Sequence, residues 1–423
     1  MACLDVAAKE RLAALCQLEK IPVLWDEPMK NHTSFKIGGP AAALCAPKDR
    51  QQLRELVGFV QREGVDSWYI GNGSNLLVRD GGIRGLVLRV AGGMNAIRRE
   101  GDRLIVEAGA SLASVAAFAR DEGLCGLAEL GGIPGTVGAS VVQNIGAYGQ
   151  EVATSVESVE VWDRDTKTTR DLTPADLRFG YRYSALKTSM YAGPGRPAGR
   201  FFPTPRYVVL SVTFALTHSA EGTVGYGQLA KALGVEVGDR MATADIRKAV
   251  LAVRAAKGML EDPTRYALPD MATAKREANI LTDLERLASL NEAAGIPVGD
   301  DGLPAPDYNR HSCGSFFMNP ILTADQAAAL PEDAPKFDAT LPDGTPGTKT
   351  SAAWLIDHAG CHKGYKVDAD APASLSTQHT LALTNRGGAS AADIAALARA
   401  VQQAVKSAFG VDLVPEPVCV GVL

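Results

Sequence analysis

The feature that most constrains this chain is the glycine-dense stretch 131–151, GGIPGTVGASVVQNIGAYGQE. Glycines at 131, 132, 135, 138 and 146 stand close to Pro134, Thr136, Asn144 and Tyr148. A residue without a Cβ takes positive φ cheaply and lets a ligand approach the backbone. A loop of this kind can aim several N–H groups at a phosphate. Asn144 and Tyr148 add side-chain donors and a flat face, so a nucleotide-type ligand is expected. A second glycine-rich loop, GNGSN at 71–75, follows a predicted strand at 68–70 and runs into another at 76–78. Strand, loop, strand is not the dinucleotide fingerprint, which requires a helix after the glycines. The chain also has no GxxxxGK[ST] phosphate loop.

At 423 residues the chain has room for two to three domains, and its 46% hydrophobic and 22% charged content is that of a soluble globular protein. A net charge of -5 provides no basic field for nucleic acid and favours a small-molecule partner. Charges at Asp5, Lys9, Glu10 and Arg11 do not fit a secretory signal, and no apolar run spans a bilayer. A cytoplasmic monomer without a membrane partner is expected. Seven cysteines without CxxC spacing read as reduced thiols. No metal is expected, because His358, Cys361 and His362 have no second ligand cluster nearby.

Periodicity predicts an amphipathic helix up to about residue 14, a polar loop at 31–39 and a helix over 48–63 with Leu53, Leu56, Val57 and Val60 on one face. Strands are expected at 76–78 and 85–90, with Asp80-Gly81-Gly82 as the turn between them. Strands and short helices then mix over 104–107, 111–121, 155–162 and 207–215, and a Gly/Pro-rich loop is expected at 192–205. A helix at 246–257 brings Arg254 and Lys257 together near its end. Residues 259–311 read as an insertion carrying a helix at 273–292. The C-terminal part alternates helix and strand over 352–359, 380–384 and 391–409, with a last strand after residue 412.

Three residues elsewhere carry candidate chemistry. Ser315 stands between Gly314 and two phenylalanines, a setting for a positioned proton donor. Arg182, in FGYR, is suited to clamping a carboxylate with two parallel hydrogen bonds. Glu416, between Pro415 and Pro417, is a carboxylate on a stiffened backbone. Together with GNGSN (71–75), the 131–149 stretch, YGQL (226–229), GSFF-x-NP (314–320) and AAWLIDHAG (352–360), these motifs resemble the UDP-N-acetylenolpyruvoylglucosamine reductase family, in family order and in its longer, type I form.

The resemblance implies an α+β fold: a two-part FAD-binding domain of the vanillyl-alcohol-oxidase/PCMH type and a C-terminal α+β substrate-binding domain. The boundaries it suggests are 1–90 and 91–258 for the two FAD-binding parts, 259–311 for the insertion and 312–416 for the substrate domain, with 417–423 rejoining the first part. It implies non-covalent FAD, NADPH as co-substrate and a UDP-sugar substrate. Gly71, Asn72, Gly73, Ser74, Asn75, Gly135, Thr136, Gly138, Asn144, Gly146, Ala147 and Arg254 would contact FAD. Tyr181, Tyr226, Lys257 and Asn319 would contact substrate. Ser315 would protonate the enolpyruvyl group, while Arg182 and Glu416 stabilise the intermediate. An anionic glutamate repels an enolate, so Glu416 is expected to be protonated or to act through a water. The sequence departs from the family pattern at Tyr183, at Met318 and in the short Pro417-Val418-Cys419 tail. Another FAD-dependent oxidase of the same fold, or a flavin-binding protein without reductase activity, are the rival readings.

Overall fold

The computed structural model describes residues 3–191, 203–260, 307–341 and 344–423. The predicted helix at 273–292, nearly all of the 259–311 insertion and most of the 192–205 loop lie outside the described residues.

The first sheet has strand order Val23–Pro28, Pro40–Cys45, Ile83–Arg89, Ser67–Ile70, antiparallel for the first pair and parallel thereafter. A parallel pair needs a crossover, here supplied by helix Arg50–Glu63. Asp49 caps that helix by accepting the Gln52 N–H at 2.8 Å, and Gly64 ends it at φ 64°. Its predicted face, Leu53, Leu56, Val57 and Val60, is buried. Alternation along the strands divides the sheet between two cores. Leu86 and Leu88 face helices Val6–Leu18 and Arg50–Glu63, whereas Val87 joins Trp68, Ile70, Val418 and Val420 on the other side.

The second sheet is wholly antiparallel, in the order Thr168–Leu172, Val156–Asp163, Tyr207–Ala215, Arg103–Glu107, Ile97–Glu100. It shares one hydrophobic cluster with the first: Leu56 and Leu86 belong to the same core as Val106, Val159 and Phe214. The C-terminal part packs helices Ala352–His358 and Ala391–Phe409 against the hairpin Ala373–Leu375/Leu383–Asn385.

Two expected features have non-local partners. The expected strands form at Leu76–Val78 and Ile83–Arg89, with the turn between them, but do not pair with each other. Leu76–Val78 pairs in parallel with the chain's last strand, Val418–Val420. The intervening turn packs on the chain at Gly39 and Pro40, where a Cβ on Gly82 would fall 1.9 Å from the Pro40 carbonyl oxygen. Asp80, in that turn, accepts N–H groups of Ala391 and Ala392 at 2.7 and 3.2 Å, capping the long C-terminal helix. The polar loop at 31–39 is largely buried. Asn31, His32, Thr33 and Phe35 are buried, because this segment is the seam against which the C-terminal part docks. Phe35 has no exposed surface, meets the Phe316 ring edge-on at 6.3 Å, and its carbonyl accepts the Asn385 amide at 3.0 Å.

Phe35→Ala is therefore expected to cost about 3–5 kcal/mol, as large-to-small changes at buried aromatics do. Urea unfolding measures it; a loss below about 1 kcal/mol would mean the seam is not a packed core.

Candidate active site

The centre of the glycine-dense stretch is a helix, Val137–Gln143, where the sequence suggested continuous loop. Thr136 caps it, accepting the Ala139 N–H at 3.4 Å, and Asn144 ends it at φ 46°. The two glycine loops lock together at this cap. A Cβ on Gly71 would come 2.4 Å from Thr136 Oγ1, and one on Gly73, at φ +63°, would come 1.8 Å from the His32 carbonyl oxygen. Ser74 Oγ donates to the Pro134 carbonyl at 2.8 Å. These glycines are required first by loop-on-loop packing.

Both loops open on a cavity of about 430 Å³, within the usual range for small-molecule sites. Its wall includes Gly71, Asn72, Gly73, Ser74, Asn75, Gly135, Thr136, Gly138, Gly146, Ala147 and Arg254. Arg182, Ser315, Glu416, Tyr226, Lys257 and Asn319 line it too. Asn144 and Tyr181 do not. The Asn144 amide instead donates to Glu151 Oε2 at 3.0 Å and the Gly180 carbonyl at 2.8 Å, joining the helix end to the FGYR turn. The Tyr181 ring lies under the Arg182 guanidinium at 5.1 Å, and its hydroxyl accepts the Asn319 N–H at 3.4 Å.

Arg182 is the hub of one wall. Its backbone is left-handed, φ 55°, within the turn closed by the Gly180–Tyr183 bridge. Its Nε stands 3.1 Å from Glu416 Oε1, one terminal nitrogen donates to the Gly146 carbonyl at 2.7 Å, and Glu151 lies at 3.9 Å. Tyr183 is exposed, and Glu151 and Glu416 are the carboxylates against the arginine. Glu416 reaches the arginine because the chain end pairs with the Ser315 loop. Glu416 N–H donates to the Phe316 carbonyl at 2.8 Å and Met318 N–H to the Val414 carbonyl at 3.0 Å, around a Phe317–Pro415 bridge. Ser315 and Glu416 thus stand on adjacent, paired segments.

The other wall is cationic. Arg254 is buried, donates to the carbonyls of Gly132 and Met259 at 3.0 and 2.7 Å, and has no carboxylate partner among the described residues. Burial lowers its pKa, with Tyr148 opposing. Lys257 donates to Gln228 Oε1 at 2.7 Å, and burial with Arg254 and Lys363 nearby lowers its pKa as well. His379, on the same wall, is pushed down to about 4 by burial and by Lys257, Lys363 and Arg254. The sequence reading passed over His379, Glu151, Gln143 and Lys187. His379 is remote in sequence from the wall it joins, and nothing local marks it. Gln143 and Lys187, however, sit inside the QNIGAYG and RFGYRYSALK stretches and were open to selection. His358, of the His/Cys cluster, stacks on Trp354 at 3.8 Å.

Residues 306–420 match the model of the UDP-N-acetylenolpyruvoylglucosamine reductase C-terminal domain, and residues 41–171 match that of an FAD binding domain. The UDP-N-acetylenolpyruvoylglucosamine reductase of Thermobifida fusca is 39% identical over 408 residues, spanning 93% of this chain and 97% of its own. That of Streptomyces coelicolor is 38% identical over 414 residues, spanning 96% and 92%. Among solved structures, UDP-N-acetylenolpyruvylglucosamine reductase from Thermus caldophilus shares the fold, with a TM-score of 0.53 at 24% identity over 95% of this chain and 98% of its own.

The depressed His379 has a consequence for stability. The unfolded chain takes up this proton near 6.5 and the folded chain only near 4, so between those values the unfolded state holds more protons. Stability should therefore fall as pH drops from about 6.5 towards 4, and His379→Gln should flatten that slope. Urea midpoints at pH 7 and 5 test this; equal slopes in both proteins would refute it.

Proposed function

The chain belongs to the UDP-N-acetylenolpyruvoylglucosamine reductase family, and on that premise we propose that Arg182, Ser315 and Glu416 carry its reaction. It is an FAD- and NADPH-dependent oxidoreductase that reduces UDP-N-acetylglucosamine enolpyruvate to UDP-N-acetylmuramate in peptidoglycan precursor synthesis. It joins a vanillyl-alcohol-oxidase/PCMH-type FAD-binding domain to a C-terminal α+β substrate domain. The residues present fit the cofactor: two interlocked glycine loops edge the cavity, and a buried arginine without a described acidic partner suits a polyanion. Residues 71–75, Gly135, Thr136, Gly138, Gly146, Ala147 and Arg254 would hold it. Asn144 would act from behind, by fixing the loop.

FAD, held there, would supply the hydride chemistry between NADPH and C3 of the enolpyruvyl group. The protein must then handle negative charge spreading from C2 to the substrate carboxylate. Arg182 is the group for that task, because a preorganised cation in a water-poor site stabilises developing charge strongly. The observation that carries this reading is its pairing with Glu416 at 3.1 Å, on the segment hydrogen-bonded to the Ser315 loop. Glu416 beside an enolate is tolerable because the arginine stands against the same carboxylate. Ser315 delivers the proton to C2. Tyr226, Lys257 and Asn319 meet the UDP-sugar, with Tyr181 supporting Arg182 and Asn319.

Among the described residues no helix is long and apolar enough to cross a membrane. All seven cysteines are free thiols, which supports a reducing, cytoplasmic compartment; we take the protein to act there as a monomer.

Ser315→Ala should keep its flavin and let NADPH reduce it, yet lose roughly 10²–10⁴-fold in turnover, the usual worth of a positioned acid. Stopped-flow flavin bleaching and steady-state NADPH oxidation with enolpyruvyl substrate separate the two steps. Normal turnover would remove Ser315 from the mechanism.

A further inference from the structure

Glu416 is held by more than Arg182. Gln143 Nε2 donates to the same carboxylate oxygen, Oε1, at 3.2 Å. Behind it, Lys187 Nζ donates to Gln143 Oε1 at 2.7 Å and to the Glu416 main-chain carbonyl at 3.2 Å. Gln143 is buried and borders the cavity; Lys187 is half-buried and does not border it. Lys187 is itself fixed by helix Ala185–Thr188, whose cap Ser184 accepts the Lys187 N–H at 3.1 Å and donates to the Val142 carbonyl at 2.7 Å.

An ammonium group only donates, whereas a glutamine amide has one accepting and one donating end. Lys187 therefore decides which way Gln143 faces: the carbonyl towards the lysine and the NH₂ towards Glu416. Without the lysine the amide is free to turn its carbonyl to the carboxylate, exchanging an attraction for a repulsion. With Arg182 and Gln143 both on Oε1, Oε2 is the Glu416 oxygen without a hydrogen-bond donor among the described residues.

We propose that Lys187 is a positioning residue which, through Gln143, fixes the Glu416 carboxylate with Oε1 turned to Arg182 and Oε2 reserved for the reaction. The proposal rests on the reductase reading given above. It assigns Lys187 no contact with substrate or cofactor.

The test uses the flavin-loaded enzyme with Lys187→Met, Lys187→Arg, Gln143→Leu and the Lys187→Met/Gln143→Leu double variant. Lys187→Met should keep its flavin content, its rate of flavin reduction by NADPH and its KM for the enolpyruvyl substrate, while kcat falls up to roughly 100-fold, the scale of a misplaced catalytic group. Lys187→Arg, which still donates, should restore most of the rate. In the Gln143→Leu background, Lys187→Met should add little, because the two act as one unit. A wild-type kcat for Lys187→Met, or losses that multiply in the double variant, overturn the proposal. If Lys187→Met does not fold, Lys187→Arg and Gln143→Leu still decide: a fully impaired Lys187→Arg or a fully active Gln143→Leu sinks it. A wild-type protein that oxidises NADPH equally with and without the enolpyruvyl substrate removes the reductase reading, and the proposal with it.

Discussion

The pairing of residues 414–416 with 316–318 is the contact on which the site depends. It is a short antiparallel bridge, and its strand alternation is matched to a chain carrying prolines at 415 and 417. The N–H groups that must donate belong to the residues between and after them: Glu416 to the Phe316 carbonyl, and Val418 to the Asn75 carbonyl at 3.0 Å. Proline has no N–H and is tolerated only where none is needed. The prolines thus stiffen the segment without breaking its bonds. Through Glu416 the segment reaches the Ser315 loop, and through Val418 it reaches the 71–75 loop. One short segment ties the glycine loop and the Ser315 loop into a common frame.

Much of this was legible before any coordinates, and the reasons are local. The helix over Arg50–Glu63 announces itself by an aspartate cap, a glycine stop and an apolar face at helical spacing. The long helix Ala391–Phe409 does the same, with Ser390 and Asp393 as its capping box. What escaped was non-local. Helix Val137–Gln143 was obscured because its glycine and small residues serve close packing, with Gly138 set against Ala108, while its one strong signal was Thr136 as cap. The buried 31–39 segment reads as polar because its partners lie in the last third of the chain, as with Phe35 and Asn385. Of the candidate site, most motif residues line the cavity and Asn144 and Tyr181 do not; Gln143 and Lys187 lay within the motif stretches, but what marks them is whom they touch.

Two thiols near Glu416 illustrate how the same burial shapes the electrostatics. Cys313 is raised well above its ordinary pKa by burial and by the nearby Glu416 and Cys419. Burial pushes Cys419 up to about 12, with Lys187 opposing. Both stay neutral thiols at physiological pH, so neither adds an anion beside Glu416. Cys419 thus stays an electrically silent residue on the Val418–Val420 strand.

The cavity's two walls divide its charges by origin. Arg182 faces Glu416 and Glu151, so its positive charge is largely offset in the resting protein. Arg254 and Lys257 are met by carbonyls, Tyr148 and Gln228, with no carboxylate against them among the described residues, and His379 beside them stays neutral above about pH 4. A ligand with permanent negative charge, such as a diphosphate, is best received by the unbalanced wall, where no internal partner competes. Charge that exists only during reaction is better served by the balanced one. There, Arg182 is held in place by carboxylates and carbonyls before the substrate arrives, and no reorganisation is needed as the charge appears. That separation is the physical reason Arg254 and Arg182 are built into such different surroundings.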